Sequence, residues 1–167
     1  SISEVLIIGQ GTAAVAGVSS AHFFSAAKSE LSVQAMLATE VSGFGLRDNM
    51  KDVLVIAVSQ SGTTTDTNRT VDLLRDRGAS VIAIVNRRGS DLTTKADGVC
   101  YTSSGRDVEM SVASTKAFYS QVAAGAYLAF SIEFIRRGKK PFENEISQIV
   151  SQLVDMPTKM REVLGSE

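Results

Sequence analysis

The run DVLVIAVS, residues 52–59, constrains the fold more than any other stretch of this chain of 167 residues. It is branched and apolar at almost every position, with no polar residue in alternation. A strand of that kind has no face to give to water. Strands buried on both faces belong to parallel sheets covered by helices. The runs EVLIIG (residues 4–9) and SVIAIVN (80–86) have the same character, and GVCYTSS (98–104) reads as a further strand. LSVQAMLAT (31–39) alternates apolar and polar residues and reads as a strand with one open face.

Helical patterns lie between these runs. Residues 12–28 are alanine-rich, with Val15, Val18 and His22 at helical spacing. Residues 66–77 place Val71, Leu73 and Leu74 inward, and Gly78 ends the helix. Residues 90–97 read as a short helix or turn. Residues 112–137 read as a long helix whose basic end, Arg136 and Arg137, suits the helix dipole. Gly138 and Pro141 punctuate it, and 142–163 is helical again, with Pro157 breaking it or opening its last segment. Residues 43–49, GFGLRDN, read as a loop. Strands alternating with helices predict a three-layer α/β/α sandwich around a five-stranded parallel sheet, with right-handed crossovers.

Bulk properties exclude several classes. The formal net charge of -1 argues against a nucleic-acid footprint. No apolar run approaches the length of a membrane span. The single cysteine, Cys100, forms no internal disulfide and no metal site; in its apolar run it reads as a small core residue. A reducing, cytoplasmic setting fits that usage, and no signal peptide is visible. No metal-ligand spacing, P-loop or Ser–His–Asp set stands out, and His22, beside Phe23 and Phe24, reads as structural. No cofactor is expected. The start at Ser1 and the stop just after a helical stretch suggest a piece of a longer polypeptide.

Chemistry concentrates where strands end. SQSGTTTDTN, residues 59–68, follows the most apolar strand and holds six hydroxyl side chains. An N-cap explains one or two of them. The whole set suits an anion held by neutral donors: Ser59, Ser61, Thr63 and Thr64 offer hydroxyls, Gly62 lets the backbone approach, and the next helix supplies unpaired N–H groups. GQGTAAVAG, residues 9–17, carries G-x-G-x-x-A at Gly9, Gly11 and Ala14, the spacing of a dinucleotide turn. The acid that should follow is misplaced: Glu30 precedes the second strand and Glu40 lies too far along. A tight strand-to-helix turn explains those glycines equally well. In GRDVEMSVASTKAF, residues 105–118, Ser111, Ser114 and Thr115 could meet a sugar, while Glu109 and Lys116 are ionisable; a capped helix start is the plainer reading.

Taken together, SQSGTTTDT, EMSVASTKAF and GQGT resemble the sugar isomerase (SIS) domain family, in particular the first of the two tandem SIS domains in the isomerase half of glucosamine-6-phosphate synthases. The resemblance extends to MPTKMREVL (residues 156–164), which is similar to the linker into the second domain. It implies a flavodoxin-like strand order and a phosphosugar ligand. It implies phosphate binding by Ser59, Gln60, Ser61, Gly62, Thr63 and Thr64, and sugar contacts from Gly11, Thr12, Val112, Ala113 and Ser114. Residues 1–140 would then form the phosphosugar-binding domain, and 141–167 a helix and linker towards a second SIS domain. The chain departs from the family at Gln10, where Cys is common, at Ala13, where Ser is common, and at Thr63, where Glu is common.

The ligand so implied is a hexose 6-phosphate, of the fructose 6-phosphate or glucosamine 6-phosphate class. The parent would be a ketose/aldose isomerase or a fructose-6-phosphate amidotransferase, and a homodimer. The family's catalytic glutamate, histidine and lysine belong to the second domain and tail, so this chain alone is expected to be catalytically incomplete, with no catalytic residue assigned. Glu40 reads as structural and Glu109 as a weak candidate. A regulatory SIS module that senses a sugar phosphate, or a dinucleotide-binding domain, are the competing readings.

Overall fold

The computed structural model describes residues 1–104, 114–137 and 143–165. Five strands form one sheet: β1 (Glu4–Gly9), β2 (Ser32–Leu37), β3 (Val53–Ser59), β4 (Ser80–Val85) and β5 (Gly98–Tyr101). Their order is β2-β1-β3-β4-β5 and every pairing is parallel, as the apolar runs and the family resemblance require. The helices are α1 (Thr12–Ala26), α2 (Ala38–Glu40), α3 (Thr65–Arg75), α4 (Asp91–Lys95), α5 (Lys116–Arg137) and α6 (Glu143–Leu164).

Successive strand residues point to opposite faces, and the two faces build two separate cores. Leu6, Ile8, Val55, Ala57, Val81 and Ala83 pack against Val71 and Leu74 of α3. Val5, Ile7, Ile56, Val58 and Ile84 pack against Ala13, Ala16 and Phe24 of α1 and Ala129 of α5. This is the expected α/β/α sandwich. Helices α1 and α5 approach closely: a Cβ on Gly125 would lie 1.9 Å from Ser20 Oγ, so only glycine fits that crossing.

Polar ties at the amino-terminal edge hold the layers together. Glu133 of α5 is fully buried; its carboxylate accepts from Ser29 Oγ at 2.6 Å and pairs with Arg136 and Arg137, each at 3.0 Å. Arg137 also donates to the carbonyl of Lys28, which has a left-handed φ of 52° beyond the end of α1. Asp97, just before β5, accepts from the Val81 N–H of β4 and from Arg75 of α3, both at 2.7 Å. The Val81 N–H, and after it the Arg75 guanidinium, hold the Asp97 carboxyl below its ordinary 3.8. A carboxyl lowered on folding favours the folded state above that ordinary value, and the contribution disappears as pH falls through the lowered one. Urea midpoints should therefore drop as pH falls below 3.8 in the native chain, and drop less in Asp97→Asn. Equal drops would show that Asp97 carries none of the acid sensitivity.

The structure corrects several expectations. Residues 38–45 are helical, as α2 followed by a wider π-type turn at Val41–Gly45, where a loop was expected from residue 43. Buried Ala38 and Val41 anchor that turn to the sheet, which glycine content alone does not reveal. Pro157 neither breaks α6 nor opens a new segment; the helix runs through it. Residues 151–165 are exposed, so water can take the carbonyl that proline leaves without a donor. Cys100 is half-buried, not core, because β5 is an edge strand, and the burial it has pushes its thiol pKa up. Leu73 is half-buried where Val71 and Leu74 are fully buried. No helix among the described residues is long and apolar enough to cross a membrane.

Candidate functional site

In an open parallel sheet, neighbouring strands whose connections leave in opposite directions open a crevice at their carboxyl ends. Here those strands are β1 and β3: β1 continues to β2 on one side, and β3 continues to β4 on the other. The two loops singled out from sequence, Gly9–Thr12 and Ser59–Thr64, leave these two strand ends side by side.

The loop after β3 is tightly organised. Ser59 is 2% exposed, and its hydroxyl accepts from the Gly62 N–H at 3.0 Å and lies 3.5 Å from Thr64 Oγ1. Ser59 therefore shapes the loop from within. Ser61 Oγ accepts from both the N–H and the hydroxyl of Thr63, at 3.2 and 2.9 Å, which leaves its own proton to donate outward. Gly62 has a φ of 66°, and a Cβ there would fall 2.0 Å from Ser90 Oγ. The first bond closing α3 runs from the Asn68 N–H to the Thr64 carbonyl at 3.0 Å. The N–H groups of Thr65, Asp66 and Thr67 precede it and have no acceptor within the helix. Their partial positive charge sits where the loop ends, and no lysine or arginine lies within residues 59–68. Chemically, such an arrangement suits an anion held by neutral donors and the helix dipole.

Sequence reasoning missed the β4–α4 connection, which braces this loop. The N–H groups of Asn86 and Arg87 donate to the Gln60 carbonyl at 3.1 and 3.3 Å, and the Leu92 N–H donates to the Gly62 carbonyl at 3.0 Å. Arg88 stacks 4.1 Å from the Tyr101 ring centroid at the end of β5. The run NRRGS after a strand signals a turn and no more, so nothing local pointed to these contacts. Asn68 was missed too.

In the loop after β1, Gly9 is required: a Cβ would come within 2.9 Å of the Ala13 and Ala14 backbone. Gly11 has a φ of 57° and open space where a side chain would be. Thr12 is half-buried at the start of α1. Gln10 Nε2 reaches Thr39 Oγ1 at 3.4 Å, a weak contact, while its Oε1 is buried without a partner. Ser114, before α5, also has a buried hydroxyl without a partner. Glu109, Ser111, Val112 and Ala113 lie outside the described residues. Glu30, Glu40 and His22 are exposed. Among the described residues no group of three or more His, Cys, Asp or Glu is placed to hold a metal ion.

The SIS domain model matches residues 2–131 of this sequence. The chain belongs to the SIS domain family. As an SIS domain it is 38% identical, over its whole length, to the glutamine–fructose-6-phosphate aminotransferase (isomerizing) of Corynebacterium glutamicum, and covers 26% of that protein. It is 35% identical to the enzyme of the same name from Streptomyces coelicolor, with 99% of the chain and 26% of the relative aligned. It thus spans about a quarter of the length of the curated relatives it matches. Among solved structures, the C-terminal domain of glucosamine-fructose-6-phosphate aminotransferase from Francisella tularensis superposes with a TM-score of 0.77 at 28% identity, covering 92% of this chain and 42% of that one. Glucosamine-6-phosphate deaminase from Thermotoga maritima shares the fold, with a TM-score of 0.69 at 23% identity, covering 90% and 44%. This SIS domain is therefore related to the isomerase region of the aminotransferases.

Proposed function

We propose that this SIS domain binds the phosphate and part of the sugar of a hexose 6-phosphate, as the amino-terminal lobe of a ketose/aldose phosphate isomerase or a fructose-6-phosphate amidotransferase. The hydroxyl loop between β3 and α3 at the sheet's switch point carries this reading. In it Ser61, Thr64 and the first N–H groups of α3 hold the phosphate, with Thr63 orienting the Ser61 hydroxyl towards it and Ser59, Gln60 and Gly62 shaping the loop. The sugar lies towards Gly11 and Thr12, and Val112, Ala113 and Ser114 are its further contacts in this reading. The names of the aminotransferase relatives support the substrate class.

A second SIS domain of the same parent chain and a second subunit complete the assembly in this reading. The helix α6 supports it: Leu153, Val154, Met156, Met160, Val163 and Leu164 are exposed along it, an apolar surface suited to such a neighbour. The base that moves a proton between C1 and C2 comes from that second domain, and the parent works in a reducing cytoplasm.

Calorimetric titration with fructose 6-phosphate, glucosamine 6-phosphate, inorganic phosphate and NAD tests the reading. Ser61→Ala is expected to weaken hexose-phosphate binding by about 1 kcal/mol or more, at least about fivefold, the value of one typical hydrogen bond. Unchanged affinity removes the hydroxyl loop from the site. Binding of NAD alone moves the site to Gly9–Ala14 and makes the domain a dinucleotide binder.

A further inference from the structure

Asn68 sits in the first turn of α3, 6% exposed, with its side chain turned back onto the loop that precedes the helix. Its Nδ2 donates to the Gly62 carbonyl and to the Thr64 carbonyl, both at 3.1 Å. An amide has two N–H donors, and both are spent here. Its Oδ1 is buried and has no partner.

These bonds are not needed to satisfy the loop. The Gly62 carbonyl already accepts from the Leu92 N–H at 3.0 Å, and the Thr64 carbonyl from the Asn68 N–H at 3.0 Å. For stability alone, asparagine is a poor occupant of this position. An apolar side chain of the same size would bury more surface and would leave no oxygen without a donor. The side-chain amide does something else. A loop that binds an anion must keep its carbonyl oxygens, which carry partial negative charge, turned away from the ligand. Asn68 holds two of them on the helix side, one on each flank of Thr63.

We propose that Asn68 is a positioning residue of the anion site: by pinning the Gly62 and Thr64 carbonyls it presets the loop with its donors facing the ligand. The inference rests on the phosphosugar reading above and adds to it the residue that organises the phosphate end. Preorganised donors bind more tightly because ordering them costs nothing at the moment of binding. Asn68 touches the ligand nowhere in this scheme and acts only through the loop.

The test is a titration of fructose 6-phosphate and of inorganic phosphate into the full chain, as wild type, Asn68→Leu and Asn68→Asp, beside urea unfolding without ligand. Asn68→Leu is expected to lower affinity for both ligands by the same factor, about tenfold, with unfolding midpoints equal to or above wild type. Asn68→Asp, which is isosteric but faces the two carbonyls with a carboxylate, is expected to lower it further at pH 7.5. A structural role would lower the unfolding midpoint in parallel with affinity, and that result overturns the proposal. So does wild-type affinity in Asn68→Leu, or a loss confined to fructose 6-phosphate. If the wild-type chain itself binds neither ligand, the phosphosugar reading fails and takes this inference with it.

Discussion

Removing both guanidiniums from Glu133, as Arg136→Ala with Arg137→Ala, is expected to cost about 5 kcal/mol of folding stability, whereas Glu133→Ala is expected to cost about 3 kcal/mol. The asymmetry comes from burial. Glu133 has 0% of its side chain exposed, while Arg136 and Arg137 keep 33% and 24%. A carboxylate stripped of both cations keeps, among the described residues, only Ser29 Oγ at 2.6 Å to stabilise it in a buried position. Guanidiniums stripped of the carboxylate can turn outward and recover hydration. The double variant also removes the Arg137 donor from the Lys28 carbonyl, loosening the turn between α1 and β2. Urea unfolding of the three chains measures the difference. Losses below about 1 kcal/mol in both variants, the range of an exposed ion pair, would mean that water reaches Glu133 in solution.

Gly62→Ala is expected to lower affinity for fructose 6-phosphate by about a hundredfold, the scale on which misplacing a preorganised group by an ångström is felt. Two effects combine. A φ of 66° puts an alanine Cβ in a strained backbone region, and the Cβ would lie 2.0 Å from Ser90 Oγ, 2.7 Å from Ser90 Cβ and 2.9 Å from Val85 Cγ2. Neither Val85 nor Ser90 is free to retreat. Val85 ends β4 with 0% exposure, and Ser90, 4% exposed, donates to the Arg87 carbonyl at 3.1 Å. The loop itself has to move, and with it the Gln60 carbonyl that the β4–α4 connection holds. The pair Gly62→Ala with Ser90→Gly removes the closest contact but leaves the φ strain, so it should recover part of the affinity. Calorimetry on both variants decides the matter. Near-native affinity in Gly62→Ala would show that the close fit of these two loops has no bearing on the anion site.

The layered fold was legible because its cause is local. Apolar runs without alternation at residues 4–9, 52–59 and 80–86 leave a chain little choice but a covered parallel sheet. Helix ends were legible within a few residues for the same reason. Where tertiary packing overrode local signals, the sequence reading failed: Gly43 and Gly45 suggested a loop, but Ala38 and Val41 dock a helical turn on the sheet. Pro157 suggested a break, but solvent around α6 tolerates the missing donor. The apolar run around Cys100 suggested a core, but the run falls on the sheet's edge.

The candidate site divides along the same line. Hydroxyl density at residues 59–68, directly after a buried strand, is a property of the sequence by itself, because no ordinary turn needs that many donors. So is membership of the SIS family, carried by short segments in a fixed order. Which hydroxyls shape the loop and which face outward was decided only by the tertiary structure: Ser59 is buried and accepts the Gly62 N–H inside the loop, while half-buried Ser61 accepts from Thr63 and keeps a proton for the open side. The bracing by Asn86, Arg87 and Leu92, the clamp by Asn68 and the burial of Glu133 against Ser29 were likewise settled in three dimensions. Hydrophobic periodicity is written one residue after another and survives in any window of the chain. A hydrogen bond between residues far apart in sequence exists only once the sheet has brought their loops to a common edge.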